Sequence, residues 1–287
     1  MESFTDVLHY LAPWEFSLAL TLTCATAVTA YLFGAHRRRS GGVPVSRWRS
    51  AAFLIGVTAI YIVTQTQFDY LSRFMFFVHR GQHLVLHHVA AFLMALAAPW
   101  SVLAAGTPRW VREKIVLPAV RSKVLRGTYA LLQNAVVAPV LFVGLIYFWL
   151  VPAIHFDAML SFRLYEVMNW SMLIDGLLFW WLILSPSADG HGRQRLRVGV
   201  RILLVLVIMP PQIILGAYIT FSRSILFDVY EVCGRAWPIE PLTDQQLGGL
   251  LTWIPPAMMS GIATLVLLGR LVRLDSTFAS DPASQRV

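Results

Sequence analysis

Four histidines and one methionine lie close together in a very apolar stretch of this chain. Met75, His79, His83 and His87 recur at every fourth residue, and His88 follows directly. On an α-helix this spacing places thioether and imidazole groups along one face. Ionisable side chains are costly inside a membrane and commonly mark a functional site there. Metal binding is therefore the first hypothesis for this segment, with copper as the first candidate.

Helix geometry limits how these side chains can share an ion. Each step of four residues drifts by about 40°, so His79, His83 and His87 stay within about 80° of one another, whereas His88 points elsewhere. Because His79 and His87 are roughly 12 Å apart along the axis, at most two of the three can bind one ion. Imidazole suits zinc, copper, iron and nickel, and an added thioether from Met75 favours Cu(I). The alternative is that the histidines bond across helices or line a polar cavity.

A second unusual helix face lies further along the chain. It carries a phenol, two thioethers and a carboxylate within about 80° on the helical wheel, namely Tyr165, Met168, Met172 and Asp175. An unpaired ionised carboxylate deep in a membrane is expensive, so we expect Asp175 to be neutral or bonded to His83 or His87. Direct metal ligation by Asp175 is the less favoured alternative, and plain core packing is the alternative for the methionines.

Two segments between the apolar stretches could also contribute. His155 follows Pro152 in a predicted outer loop, where it is either a surface residue or a ligand that captures metal. The longest outer loop runs from about Ser222 to Gln246 and is expected to form a cap or a partner surface.

The composition indicates the kind of protein that must position these groups. Hydrophobic residues make up 57% and charged residues 13% of the 287, and the mean hydropathy is +0.64. These values are typical of a polytopic membrane protein, whose spans are expected to be helices. About 20 apolar residues cross the hydrocarbon layer, and seven segments approach that length. They are Trp14–Phe33, Ala51–Phe68, Phe76–Ala98, Tyr129–Leu150, Leu164–Leu184, Ile202–Phe221 and Leu247–Leu268.

The sequence thus predicts an all-α bundle of seven transmembrane helices. Residues 1–275 are expected to form one domain, and 276–287 a disordered cytoplasmic tail. The net charge of +8 comes from basic residues that follow spans one, three, five and seven. Basic loops stay in the cytoplasm, which places the N-terminus outside and the C-terminus inside. This distribution indicates membrane topology rather than nucleic-acid binding. The Trp- and Phe-rich spans offer surfaces to lipid and protein alike, and leave a homo-oligomer open.

Four stretches carry a resemblance to a known family. They are FFVHRGQHLVLHHVAAFLMALAAPW, HFDAML, DGLLFWWLIL and PLTDQQLGGLLTWIP, which begin at Phe76, His155, Asp175 and Pro241. In this order they resemble the CtaG family of cytochrome c oxidase assembly proteins, which is associated with caa-type oxidases. The segment from Asp244 to Trp253, D-Q-Q-x-G-G-x-x-x-W, is the most specific of the matches.

The resemblance implies a non-enzymatic, seven-span assembly factor of the bacterial cytoplasmic (inner) membrane that handles copper at its periplasmic face. Its implied partners are oxidase subunits and periplasmic copper chaperones. The family's span-three pair corresponds to His79 and His83 and its outer-loop histidine to His155. Its last-span motif corresponds to Asp244, Gln245 and Trp253. Family members often have methionines where this chain has Arg80 and Leu84, and a second H-x-x-x-H where Tyr165 and Asn169 stand.

Two other classes of function remain as alternatives. A haem-b quinone oxidoreductase would need a histidine on a facing span, and the predicted spans offer none. A transporter for copper or another small solute is motivated by Asp175 and the polar stripe within the membrane, but we find no internal repeat. Common signatures of soluble enzymes, such as the P-loop and G-x-S-x-G, are absent from the sequence.

Overall fold

The computed structural model describes residues 17–185 and 196–279, which form helices joined by short connections, with no strand in those ranges. In chain order the helices are α1 Leu18–Ser40, α2 Arg47–Gln65, α3 Gln67–Phe74, α4 Phe76–His83, π1 Leu84–Ala90, α5 Ala91–Ala97, α6 Trp100–Gly106, α7 Arg109–Val111, π2 Arg112–Val116, α8 Leu117–Arg121, α9 Lys123–Leu132, α10 Val137–Trp149, α11 Pro152–Leu160, α12 Phe162–Leu184, α13 Val198–Phe221, α14 Val229–Val232 and α15 Pro241–Ala279.

The described helices account for up to seven membrane crossings by length and composition. Four unbroken helices are long and apolar enough to cross, namely α1, α12, α13 and α15. Three further crossings are pairs bent by 56° between α2 and α3, by 74° between the α4–α5 helix and α6, and by 73° between α9 and α10. The prediction of an all-α, polytopic membrane protein is confirmed.

Two predicted boundaries differ from the structure. The segment predicted as one span over Tyr129–Leu150 is divided between α9 and α10, and α10 has only 13 residues. At 1.5 Å per residue α10 is about 20 Å long, shorter than the hydrocarbon layer. The last helix reaches Ala279, beyond the boundary predicted at 275, while residues 280–287 lie outside the described residues.

Local backbone chemistry explains two of the bends. The residue that ends α5, Ala98, has a left-handed backbone with φ of 48°, and Pro99 follows it. An L-residue rarely continues a helix from that conformation, so the chain turns into α6. At the other bend Thr66 is extended, and its hydroxyl accepts a hydrogen bond from the Phe68 amide at the start of α3.

The histidine-bearing helix lies in the middle of the bundle. Its first segment, α4, packs against α15, while π1 and α5 pack between α2 and α12. The long helices α13 and α15 pack together extensively, and each contains a proline pair, Pro210–Pro211 and Pro255–Pro256. This arrangement surrounds the polar groups of span three with protein rather than lipid.

Candidate functional site

The start of the histidine helix is fixed by a carboxylate from the last span. Both oxygens of Asp244, which is fully buried, accept hydrogen bonds from the first turn of α4, at 3.0 Å from the Phe76 amide and 2.8 Å from the Phe77 amide. The same carboxylate forms an ion pair with Arg235 of the outer loop. A negative charge on the free N–H groups of a helix is favourable, so Asp244 holds α4 and the histidines that follow it.

His79 and His83 form a buried pair on consecutive turns of α4. Their side chains are 0% and 1% exposed, and their ring centroids are 4.4 Å apart with the planes tilted by 42°. Neither ring nitrogen of His79 has a hydrogen-bond partner among the described residues. The ring of His83 interacts with the side chain of Asn169 in α12, at a geometry short of a full hydrogen bond. Buried polar atoms normally find partners, because an unsatisfied one costs about 1 to 3 kcal/mol.

Met75 and His155 flank this pair, but they differ in whether their donor atoms already have hydrogen-bond partners. Met75 is fully buried one turn before His79. The ring of His155 lies 5.1 Å from that of His79, almost at right angles to it. Its Nδ1 donates to the Trp149 carbonyl over 3.1 Å, which leaves Nε2 to accept from the Tyr230 hydroxyl at 3.0 Å. The interpretation of His155 as a surface residue is wrong, because it is 1% exposed.

Burial also sets the protonation state of His155. Loss of solvent lowers its pKa to about 3, with Arg80 lowering it further and the Trp149 carbonyl raising it. The imidazole is therefore neutral at physiological pH, which agrees with one nitrogen donating and the other accepting. The lone pair of Nε2 becomes free for another role only when the Tyr230 hydroxyl moves away.

A π-helical segment carries the remaining histidines. Residues 84–90 form π1, which includes His87 and His88. His87 stacks on Phe142, with ring centroids 4.0 Å apart, and His88 packs edge-on against the same ring. His83 and His87 border the same small cavity, which agrees with the prediction that they lie on one side of the helix.

The predicted bond between Asp175 and the histidine helix is confirmed. Asp175 Oδ2 lies 3.1 Å from Nε2 of His87, and both side chains are buried. Close approach of α12 to π1 depends on Gly176, where a Cβ atom would lie 2.4 Å from the His87 carbonyl oxygen. That carbonyl also accepts a hydrogen bond from the Trp180 indole at 3.2 Å. Asp175 therefore serves as the partner of His87 in a tight helix contact.

The other members of the α12 face point into the protein as well. The Tyr165 hydroxyl lies within 3.0 Å of Asp69, Ser72 and Gln82, and its ring is 6.2 Å from that of His79. Met168 and Met172 are buried in the hydrophobic cluster that includes Phe76. Met172 also borders a cavity of about 10 Å³ together with Arg80, His83, His87, His88 and Thr252, which is close to the smallest volume that holds a water molecule.

The last-span motif has a mainly positioning role. Gln245 accepts from the Leu226 amide and donates to the Ser224 carbonyl, which ties the outer loop to α15. Trp253 lies against Gly216 of α13, where a Cβ atom would come within 2.4 Å of its ring. The outer loop packs inward, with Phe227 stacked on Phe76 at 4.3 Å and Tyr230 bonded to His155. The expectation of a cap agrees with this packing.

The predicted ligands therefore divide into groups with different surroundings. His79, His83, Met75 and His155 lie together near the start of α4, whereas His87 and Asp175 pair further along span three. No three His, Cys, Asp or Glu side chains in the described ranges are arranged to hold one metal ion. His79 keeps two ring nitrogens without a partner among the described residues. Sequence reasoning missed Tyr230, whose bond to His155 depends on a tertiary contact that no local pattern reveals.

The described fold and site define a polytopic helical membrane protein with a buried histidine cluster near one end of its third span. The chain belongs to the family of cytochrome c oxidase caa3 assembly factors, whose model matches residues 29–274. This confirms the resemblance seen in the sequence.

Curated relatives occur in mycobacteria. An uncharacterized protein of Mycobacterium leprae is 24% identical over 284 residues, and one of Mycobacterium bovis is 26% identical over 288 residues. Each match covers 96% of this chain but 42% of the relative, so the chain spans less than half the length of these proteins. No solved structure matches the chain.

Proposed function

We propose that this protein serves in the assembly of a haem-copper cytochrome c oxidase by holding Cu(I) transiently between His79 and His83. Family membership supports the assembly role. The observation that supports the metal is the buried pair itself, whose ring centroids are 4.4 Å apart while both ring nitrogens of His79 lack a partner among the described residues. Burying such atoms without a ligand would be costly.

The surroundings of the pair suit a soft monovalent ion better than a hard or divalent one. Neutral imidazole donors bind copper, and the thioether of Met75, one turn earlier, adds a soft donor that favours Cu(I). The absence of a third histidine or carboxylate ligand in the described ranges disfavours structural zinc, which takes four ligands. Few ligands also favour weak binding, which a protein that passes copper onward requires.

The same proposal includes location and partners. Basic loops follow the odd-numbered spans, so α4 would begin at the periplasmic side of the bacterial inner membrane. Copper would then arrive from a periplasmic copper chaperone and leave to an oxidase subunit. The outer loop that carries Tyr230 lies over the cluster, so its movement would open the way to His79 and release His155 Nε2 as an additional ligand.

Copper stoichiometry on the purified full-length protein tests the proposal. We expect about one Cu(I) per chain, measured by competition with a coloured Cu(I) chelator under reducing conditions. Replacing both His79→Ala and His83→Ala should abolish this binding. His36→Ala is the matched control, because His36 is exposed at the far end of α1, and it should bind like the unmodified protein.

A cellular assay separates copper handling from scaffolding. In a strain that lacks the protein, the double-alanine variant should fail to restore oxidase activity although it is made and inserted normally. If the double-alanine variant restores oxidase activity without binding copper, the copper role is contradicted and the protein acts only as an assembly scaffold. Binding retained by the double-alanine variant would place the ion elsewhere and refute the assignment to this pair.

A further inference from the structure

A buried arginine shares the histidine helix and has no acidic partner. Arg80 is 5% exposed, and its Nε donates to the Thr252 hydroxyl at 2.9 Å. None of the ion pairs within the described residues includes it. The guanidinium group remains protonated in proteins under ordinary conditions. Span three therefore carries a fixed positive charge that no described carboxylate neutralises.

The carboxylates around this part of the bundle are engaged elsewhere. Asp69 pairs with Arg73 at 3.1 Å, and Asp175 bonds to His87. Asp244 pairs with Arg235 and caps α4. A metal ion at the histidine pair would consequently meet the charge of Arg80 without a nearby unpaired carboxylate to offset it.

The position of Arg80 makes that charge relevant to the metal. Arg80, His83 and Thr252 border the same small cavity. Repulsion between two positive charges is strong where protein and lipid exclude water, because the effective dielectric constant there is low. The repulsion energy is proportional to the charge of the ion, so it doubles from a monovalent to a divalent cation.

We propose that Arg80 is a specificity-determining residue that weakens the binding of any cation at His79 and His83 and discriminates most strongly against divalent ions. This inference rests on the proposed copper site and adds to it the selection of Cu(I) over ions such as Zn²⁺. The same charge promotes release of the monovalent ion, as a transfer protein needs.

Coulomb's law gives the size of the effect. For charges about 7 to 10 Å apart at an effective dielectric constant of about 20, a monovalent ion binds roughly 15- to 55-fold more weakly than it would without Arg80. For a divalent ion the repulsion energy doubles. The factor by which Arg80 weakens binding of a divalent ion is therefore the square of the factor for a monovalent ion. This relation between the two factors does not depend on the exact distance.

Arg80→Met and Arg80→Lys test the inference on the purified full-length protein. Methionine has a similar length and no charge, whereas lysine keeps the charge. In the methionine variant we expect Cu(I) affinity to rise by the factor given above and Zn²⁺ affinity to rise by about its square. The lysine variant should stay close to the unmodified protein. Arg163→Met, which removes an exposed charge at the start of α12, should change neither affinity.

Several outcomes would overturn the inference. Equal gains for both ions, or equal behaviour of the lysine and methionine variants, would indicate packing rather than charge. Gained binding that persists after His79→Ala and His83→Ala are added would place the ion at another site. Arg80→Gln, which can still donate to Thr252, provides a second neutral variant if the methionine variant fails to fold in detergent.

The same measurements distinguish the two proposals. If the unmodified protein binds Cu(I) at the pair and the neutral variants bind both ions no better, the charge inference fails and the copper site stands. If neither the unmodified protein nor any neutral variant binds Cu(I), the copper site and the inference fail together.

Discussion

Replacing Asp244 should destabilise the protein more than any other single change at the outer end of the bundle. Asp244→Ala removes two hydrogen bonds to the first turn of α4 and leaves Arg235, whose side chain is 12% exposed, without its partner. Loss of a helix cap costs about 1 kcal/mol, and breaking a buried ion pair costs about 3 to 5 kcal/mol. The two terms overlap, so we expect a total of about 3 to 5 kcal/mol.

Reversible unfolding in mixed detergent micelles, titrated with SDS, measures this cost. Glu240→Ala is the control, since it removes an exposed carboxylate four residues earlier, and it should change the unfolding free energy by less than about 0.5 kcal/mol. Combining Asp244→Ala with Arg235→Gln should cost less than the sum of the single changes, because no unpaired charge then remains. A loss no larger than that of the control would refute the assigned role of Asp244.

Two further predictions concern the packing and the orientation of the bundle. Gly176→Ala should destabilise the protein by about 1 to 3 kcal/mol, since the new methyl group would meet the His87 carbonyl; Gly144→Ala, where the space is open, should be neutral in the same unfolding assay. In a background without the two native cysteines, Arg223→Cys should react with a membrane-impermeant maleimide on intact spheroplasts, whereas Arg121→Cys should react only after lysis. The reverse labelling pattern would show that the protein has the opposite orientation to the one predicted.

Much of the helical architecture could be predicted from the sequence, because apolar segments of membrane length have few alternatives to a helix. The bond between Asp175 and the histidine helix was also predictable, since a deep carboxylate needs a partner. The interruptions within the spans could not be predicted from the sequence. At the break between α9 and α10 the Asn134 side chain accepts hydrogen bonds from the Val136 and Val137 amides. Hydropathy registers neither this break nor the π-helical segment at 84–90.

The candidate site was predictable in its residue types and only partly in its geometry. The spacing of His79 and His83 indicated a pair, and the structure brings them together. The spacing did not reveal that His87 stacks on Phe142 of α10, because that contact depends on how the helices pack. The partners of His155 come from Trp149 and from the outer loop, and sequence distance gave no signal for the contact with Tyr230.

The proline pair in α15 bears on how Arg80 is tolerated. Pro255 and Pro256 have no amide hydrogens, so the carbonyls of Leu251 and Thr252 lack their usual helical donors. Both residues border the cavity beside the guanidinium. Carbonyl groups freed in this way carry the negative ends of peptide dipoles, which stabilise a nearby cation without cancelling its net charge. The proline pair thereby leaves backbone carbonyls without helical donors beside a buried cation, and span three keeps a positive charge that a carboxylate partner would have neutralised.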